Sequence, residues 1–378
     1  MIPFLDLKRQ YEGIRPLVEE AVKRVFEKQA FILGAEVQAL EEEIASTYEA
    51  GYAIGVSSGT DALLLALMAL GVAEGDEVVT TPFTFFATAG VIHRLGAIPV
   101  FVDIDPVSFN IDPSAVRAAV TDRTVCVLPV HLFGLMADMA DILEIAQRRG
   151  IPVVEDAAQA IGAWQKRDGE KRYAGTLGEI GCFSFFPSKN LGGAGDGGMI
   201  VTGDADRAEQ LRRLRVHGSH PKYYHHVVGI NGRLDEIQAA VLRVKHEFLE
   251  SWTGRRRAHA DRYRELYEVY GLDRYGVIFP QENGETYHVY NQFTGRFPER
   301  DALMDHLQSR GIGVAVYYPL PLHLQPCFRY LGYREGDLPQ AEKAAKEVLS
   351  LPIYPELTEE EQETIVKEIR SYYEKRRT

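Results

Sequence analysis

Gly181-Cys182-Phe183-Ser184-Phe185-Phe186-Pro187-Ser188-Lys189-Asn190-Leu191-Gly192-Gly193-Ala194-Gly195-Asp196-Gly197-Gly198 sets a strand, a stop and one lysine in direct succession. The apolar run Cys182 to Phe186 reads as a buried strand, Pro187 ends it, and Lys189 follows at once. Five glycines then fall within the seven residues Gly192 to Gly198. Such a segment lets backbone approach a flat ligand or adopt positive φ without steric cost. An ammonium beside aromatic side chains and short of water gives up its proton more readily than a surface lysine, and a neutral amine can form a Schiff base with a carbonyl. Alone, the stretch fits a surface turn with a solvated lysine equally well, so the surrounding chain has to decide.

Outward from this stretch, the same strand-then-polar pattern recurs. Short β-rich runs at Tyr52–Val56, Glu77–Thr80, Ile98–Val102, Thr124–Val130, Pro152–Glu155, Gly181–Phe185 and Met199–Thr202 alternate with helical patterns such as Ala62–Leu70 and Met139–Arg149. This alternation predicts an α/β fold, a mostly parallel sheet with helices on both faces. Ligands of such sheets bind at the carboxyl ends of strands. Residues 7 to 50 read as helices interrupted at Phe31-Ile32-Leu33-Gly34, and 204–217 and 234–270 as charged helices. After about residue 272, strand-like runs at Tyr287–Phe293 and Gly313–Tyr318 mix with helices at Arg300–Arg310 and Gln340–Ser350, which predicts a smaller α+β domain. The expected division is residues 1–250 and 251–378, with Glu359 to Thr378 a charged helix exposed to solvent.

The chain has 378 residues, enough for two cores. Its 46% hydrophobic and 25% charged residues are ordinary for a soluble protein. The net charge of −12 argues against a general nucleic-acid or anionic-membrane partner. Cys126, Cys182 and Cys327 form neither a disulfide framework nor a zinc pattern, which fits a reducing cytoplasm. The opening Met1-Ile2-Pro3-Phe4-Leu5-Asp6 lacks a signal-peptide pattern, and the apolar run Ala62 to Ala73 is too short to span a bilayer.

Three further stretches end strands with chemistry. Ser57-Ser58-Gly59-Thr60-Asp61-Ala62-Leu63 opens a helix with small residues, leaving backbone N–H groups free for a phosphate; a plain N-cap uses the same residues. Thr81-Pro82-Phe83-Thr84-Phe85-Phe86-Ala87-Thr88 offers an aromatic to stack on a heterocycle, or an aromatic core cluster. Pro152-Val153-Val154-Glu155-Asp156-Ala157-Ala158-Gln159-Ala160 ends an apolar strand in two carboxylates. A buried carboxylate needs a partner; a protonated pyridine nitrogen would serve, and the ion pair would keep the ring an electron sink. An N-cap with a first-turn acid is the alternative. Phosphate cradle, stacking aromatic, ring-nitrogen acid and Schiff-base lysine together describe a pyridoxal-phosphate site.

The ordered set SSGTDAL, TPFTFFAT, VVEDAAQA, CFSFFPSKNLGGAGDGG and NGRLDEIQAA resembles the DegT/DnrJ/EryC1/StrS family of sugar aminotransferases, over nearly the whole chain. The resemblance implies an aspartate-aminotransferase-like large domain and pyridoxal 5'-phosphate as cofactor. By position it makes Lys189 the covalent cofactor lysine and proton carrier, Asp156 the partner of the ring nitrogen, Phe85 the stacking ring and Gln159 the neighbour of the ring hydroxyl. Gly59, Thr60 and Ser184 would bind the phosphate. It also implies a homodimer with shared sites, in which Asn231 reaches the partner's phosphate and Arg233 the partner's substrate. Tyr317-Tyr318-Pro319-Leu320-Pro321-Leu322-His323 resembles the family's substrate loop, so Tyr317, Tyr318 and His323 are candidate substrate contacts; Tyr317 stands where relatives often carry His. The stretch His217 to His226 resembles a loop near the sugar nucleotide. Its histidines lack a partner set with metal-ligand spacing, so no metal is expected.

The function so implied is transfer of an amino group from L-glutamate to a nucleotide-linked keto-hexose. A 3-keto sugar is expected, either a UDP-linked N-acetyl-hexuronate or a dTDP-linked 6-deoxyhexose. Two other readings differ in chemistry. The family's sugar dehydratases replace the lysine by histidine, which Lys189 argues against. A regulator would keep the fold without the reaction, which the joint presence of Asp156, Ser184 and Lys189 argues against.

Overall fold

The computed structural model describes residues 1–282 and 284–377. Seven strands build the large sheet. Ile98–Phe101, Glu77–Thr80 and Thr124–Leu128 pair in parallel, in that order. Parallel bridges Val127–Val153 and Val130–Asp156 join Thr124–Leu128 to the segment that carries Val154–Asp156. Val154–Asp156 then runs parallel to Ile180–Ser184. Gly198–Thr202 is the one antiparallel strand, pairing with Ile180–Ser184 on one side and Tyr52–Val56 on the other. The expectation of a mostly parallel sheet holds.

Alternation along each strand divides its side chains between two cores. Ile54, Val78, Cys126, Leu128, Val154, Cys182 and Ile200 pack against helices Gly59–Ala69, Ala87–Arg94 and Ala205–Leu214. Their neighbours Ala53, Val79, Val127, Val153, Phe183 and Val201 pack on the other face. There they meet helices Ala35–Thr47, Met139–Arg149 and the start of Glu236–Tyr270. Both faces are covered, as a largely parallel sheet requires.

The 35-residue helix Glu236–Tyr270 serves both halves of the molecule. Ala239, Leu242 and Leu249 belong to the sheet's core, whereas Ala260, Tyr263 and Leu266 belong to the core of a smaller C-terminal α+β domain. The opening residues join that smaller core: Ile2 is buried in it and exchanges backbone bonds with Gly311 and Gly313.

Four expectations in the C-terminal part need correction. Tyr287–Phe293 is not one strand. Thr286–Tyr287 pairs with the hairpin strand Trp164–Arg167, and a separate strand, Phe293–Arg296, pairs with Val348–Leu351. Between them Tyr290 has positive φ, and its carbonyl accepts from the buried Arg256 guanidinium. Gly313–Tyr318 is not a continuous strand: Ala315 exchanges two bonds with Ser350, and Gly313 donates to Ile2 O. The helix expected at Gln340–Ser350 runs Pro339–Glu347 and gives way to a strand at Val348, where an apolar run finds a pairing edge. The terminal helix Glu359–Arg377 is not merely a solvated face, since Ile365, Val366, Ile369, Tyr372 and Tyr373 are buried in the second core. No described helix is long and apolar enough to cross a membrane.

Candidate active site

A cavity of about 420 Å³ opens at the carboxyl ends of the strands. Gly59, Thr60, Phe85, Asp156, Gln159, Ser184, Lys189, Tyr317 and Tyr318 line it, so nine of the expected site residues meet in one place.

At one end the helix Gly59–Ala69 begins. Ser58 is its N-cap and accepts from Asp61 N, and Ala62 N returns to Ser58 O. The first N–H groups of a helix have no intrahelical acceptor. The cap therefore satisfies Asp61 and leaves Gly59 and Thr60 N–H without an acceptor among the described residues, at the cavity that both line. Ser184 adds a donor: its Oγ accepts from Phe186 N at 3.3 Å, which leaves the hydroxyl proton to give. A Cβ on Gly59 would lie 2.7 Å from Ser184 Cβ, so only glycine lets the helix start this close to the strand end. The arrangement can take a small dianion.

At the other end stand Asp156 and Lys189. Strand alternation places Glu155 and Asp156 on opposite faces, and the two carboxylates have separate lives. Glu155 is fully buried and accepts from His131 Nε2 at 2.7 Å and from the N–H groups of Gly175, Leu177 and Gly178. His131 Nδ1 accepts from Ala137 N, so its Nε2 carries the proton given to Glu155. That satisfied network leaves Glu155 no part in the cavity. Asp156 lines the cavity, and its oxygens accept from Thr88 Oγ1 at 2.8 Å and Ala158 N at 3.2 Å. Burial pushes its carboxyl above the ordinary range; the Thr88 hydroxyl, the Ala158 N–H and the Lys189 charge pull the other way. Burial lowers Lys189 to about 8, with the Asp156 charge opposing the fall. Lys189 is half-buried and lines the cavity, which argues against the solvated-turn reading.

The glycines after Lys189 do not serve as expected. None of the five adopts positive φ. They are packing glycines: a Cβ on Gly192 would lie 2.3 Å from Pro187 O, and one on Gly198 2.5 Å from Ser58 C. The backbone they allow close is chiefly the protein's own, although Gly197 also lines the cavity.

Of the two adjacent phenylalanines, Phe86 stacks on Phe328 while Phe85 is more than half exposed and lines the cavity. Gln159 is fixed by Phe133 N donating to its Oε1 at 2.6 Å and by its Nε2 donating to the Tyr318 hydroxyl at 3.2 Å. Tyr318 therefore joins the Gln159 side of the site. Tyr317 is half-buried and packs against Phe4 and Tyr318.

His323 does not reach the cavity, contrary to expectation. It is buried behind the loop, with Nε2 3.1 Å from Glu342 Oε1. Asn231 and Arg233 also lie outside the cavity of their own chain. Arg233 makes no ion pair among the described residues, and its Nε is buried without a partner. Glu236, three residues further on, accepts from Glu36 N and Val37 N at the start of a helix. The loop His217 to His226 is internally bonded, His225 to His217 O and His226 to His220 O. Sequence reasoning missed Thr84 and Gln292 in the lining and Thr88 beneath it. Both threonines sit in a stretch singled out for its aromatics, and hydroxyls near a helix start read as caps.

The model of the DegT/DnrJ/EryC1/StrS aminotransferase family matches residues 14–370. The chain is 55% identical over 372 residues to the "Pleiotropic regulatory protein" of Geobacillus stearothermophilus, covering 98% of each chain. It is 44% identical over 369 residues to the "UDP-N-acetyl-3-dehydro-alpha-D-glucosamine 3-aminotranferase" of Acidithiobacillus ferrooxidans, covering 98% of this chain and 97% of that one. The crystal structure of S. venezuelae DesV in complex with a ketimine intermediate superposes with a TM-score of 0.93 at 44% identity, over 99% of this chain and 98% of that one. The chain belongs to the DegT/DnrJ/EryC1/StrS aminotransferase family.

Proposed function

We propose that this protein is a pyridoxal-phosphate-dependent aminotransferase that moves an amino group from L-glutamate to the ketone of a nucleotide-linked 3-keto hexose. The observation that carries the reading is the pairing, within one cavity, of a lysine lowered to about 8 with a buried carboxylate and a separate cluster of anion-directed donors. The fit to the cofactor rests on these residues. Gly59 N–H, Thr60 and Ser184 would hold its phosphate, Asp156 would face its ring nitrogen, Gln159 Nε2 its ring hydroxyl, and Phe85 one ring face. When bound, the cofactor supplies an electron sink and a carrier for the amino group.

The chain's own residues do the rest. With its pKa lowered to about 8 by burial, Lys189 releases its proton closer to neutral pH than a free lysine does. That amine can attack a carbonyl, and once released it can carry a proton at Nζ between neighbouring carbons. Asp156 would keep a proton on the ring nitrogen by its negative charge. Leu63, Val130, Tyr317 and Tyr318 wall the cavity and reduce water around the charges, which strengthens each interaction. Tyr317 supplies a phenol, raised by burial, where relatives often have an imidazole, so it donates a hydrogen bond to substrate and does not serve as a base near neutral pH.

A UDP-linked N-acetylated 3-keto sugar is the first candidate substrate, supported by the likeness to the Acidithiobacillus protein; a dTDP-linked 3-keto-6-deoxyhexose is the second. Glutamate-dependent formation of an amino sugar from one of these, with loss of 2-oxoglutarate formation when the keto sugar is omitted after the first turnover, is the expected result. A protein that binds pyridoxal phosphate yet converts neither class with glutamate would return the reading to a regulator, which the name of the Geobacillus relative favours.

The site is proposed to be shared between two copies of the chain. Arg233 carries a charge without an ion pair among the described residues, and Asn231 is exposed. Both would complete the partner's site, Arg233 against a carboxylate or diphosphate. Mixing a Lys189→Ala chain with an Asn231→Ala/Arg233→Ala chain should restore up to about a quarter of wild-type activity, since hybrids form half of a random mixture and hold one intact site each. No recovery from verified heterodimers would mean that each chain builds its own site.

A further inference from the structure

We propose that Thr88, backed by Thr84, is a positioning residue that holds the Asp156 carboxylate ionised and aimed at the cofactor's ring nitrogen; the inference rests on the pyridoxal-phosphate reading above. Thr88 is fully buried, and its Oγ1 donates to Asp156 Oδ2 at 2.8 Å. A hydroxyl has one proton. With that proton spent on the carboxylate, the 3.2 Å contact between Thr84 Oγ1 and Thr88 Oγ1 must be a donation from Thr84. The three side chains thus form a one-way chain, Thr84 to Thr88 to Asp156. Thr84 lines the cavity and Thr88 does not, so Thr88 acts through Asp156.

The need for such a chain follows from the site's own conflict. A carboxylate beside the ring nitrogen would favour its protonated form, and the burial that sharpens such an ion pair also disfavours the charged carboxylate. A hydrogen bond to the ionised form opposes that cost. Ala158 N takes the other oxygen, and each oxygen keeps a lone pair for the ring N–H. The Thr88 hydroxyl is the leading influence opposing burial at Asp156, ahead of Ala158 N–H and the Lys189 charge. The titratable groups facing Asp156 are Lys189, His131, Cys182 and Tyr318. None of them donates a hydrogen bond to it.

Thr88→Val keeps the shape and removes the hydroxyl; Thr88→Ser keeps the hydroxyl and removes the methyl. In protein loaded with pyridoxal phosphate, a protonated ring nitrogen withdraws electrons and lowers the pH at which the lysine imine titrates. In Thr88→Val the midpoint of the absorbance change with pH should therefore move up by about one unit, a tenfold change. The turnover number should fall about tenfold with KM for the keto sugar within about twofold of wild type, and titration of the cofactor-free protein should show weaker cofactor binding. Thr88→Ser should restore all three. Should Thr88→Val fail to fold, Thr84→Val must move the midpoint in the same direction by a smaller amount. An unshifted midpoint in whichever Val variant folds, or a Thr88→Ser variant as impaired as Thr88→Val, overturns the proposal. Wild-type protein that takes up no pyridoxal phosphate would instead overturn the cofactor reading beneath it.

Discussion

Lys189→Met is expected to lower amino transfer at least about 10⁴-fold and, at the same time, to raise the melting temperature of the cofactor-free protein near neutral pH. The first effect follows from losing the amine that attacks carbonyls and carries the proton; the borohydride-trappable cofactor adduct should vanish with it. The second follows from the cost of holding that amine in the cavity. Lys189 titrates near 8 in the folded protein against 10.5 for a free lysine. Below about pH 8 both folded and unfolded chains carry the proton, and the burial penalty is fully present. Between 8 and 10.5 the folded chain releases its proton first, so wild-type stability rises with pH through that window. The advantage of methionine should thus be greatest below pH 8, on the order of 3 kcal/mol, and should fade toward 10.5. Retention of the adduct in the variant would place the covalent link on another residue. A melting-temperature difference that does not change with pH would show that Lys189 is not held against its charge.

Asp156→Asn is expected to lower the turnover number by roughly 10²- to 10³-fold while leaving cofactor bound. Asparagine keeps the shape and the backbone bond from Ala158 but cannot hold a proton on the ring nitrogen by charge. Glu155 offers no rescue, because its carboxylate lies on the opposite face and is consumed by His131 and three backbone N–H groups. Near-normal turnover would therefore mean that the ring nitrogen is not held at Asp156. The cofactor-free variant gives a second reading. Burial holds the Asp156 carboxyl above its unfolded value, so the wild type loses stability as pH rises from the unfolded to the folded value. Asparagine removes that loss, and the stability gain should appear above the acid range and be absent below it.

The strands were legible because alternation and apolar runs are local properties. Tyr52–Val56 and Glu77–Thr80 fall where the sequence places them. The same alternation already separates Glu155 from Asp156, since neighbouring residues of a strand point to opposite faces. The run Gly313–Tyr318 misled for the converse reason. It has the composition of a strand, but a strand needs one continuous edge, and here Gly313 meets Ile2 while Ala315 meets Ser350. The terminal helix misled through its charges: a stripe of Ile365, Val366, Ile369, Tyr372 and Tyr373 was hidden among them, and whether a stripe is buried depends on what lies opposite.

For the site, sequence by itself determined which chemistry the chain carries: a lysine after one strand, a carboxylate ending another, small residues opening a helix. Each motif is contiguous, and its position after a strand sends it to the carboxyl end of the sheet. Only the tertiary structure decided how those groups behave. The depression of Lys189 comes from enclosure by residues distant in sequence. The glycines after it prove to be required by contacts with Pro187 and Ser58 rather than by backbone freedom. His323, named by its motif, turns inward to Glu342. Thr88, named by nothing, supports Asp156 across 68 positions of chain. Hydrogen bonds and desolvation act over a few ångströms of space, and the sequence order of the partners carries no record of that distance.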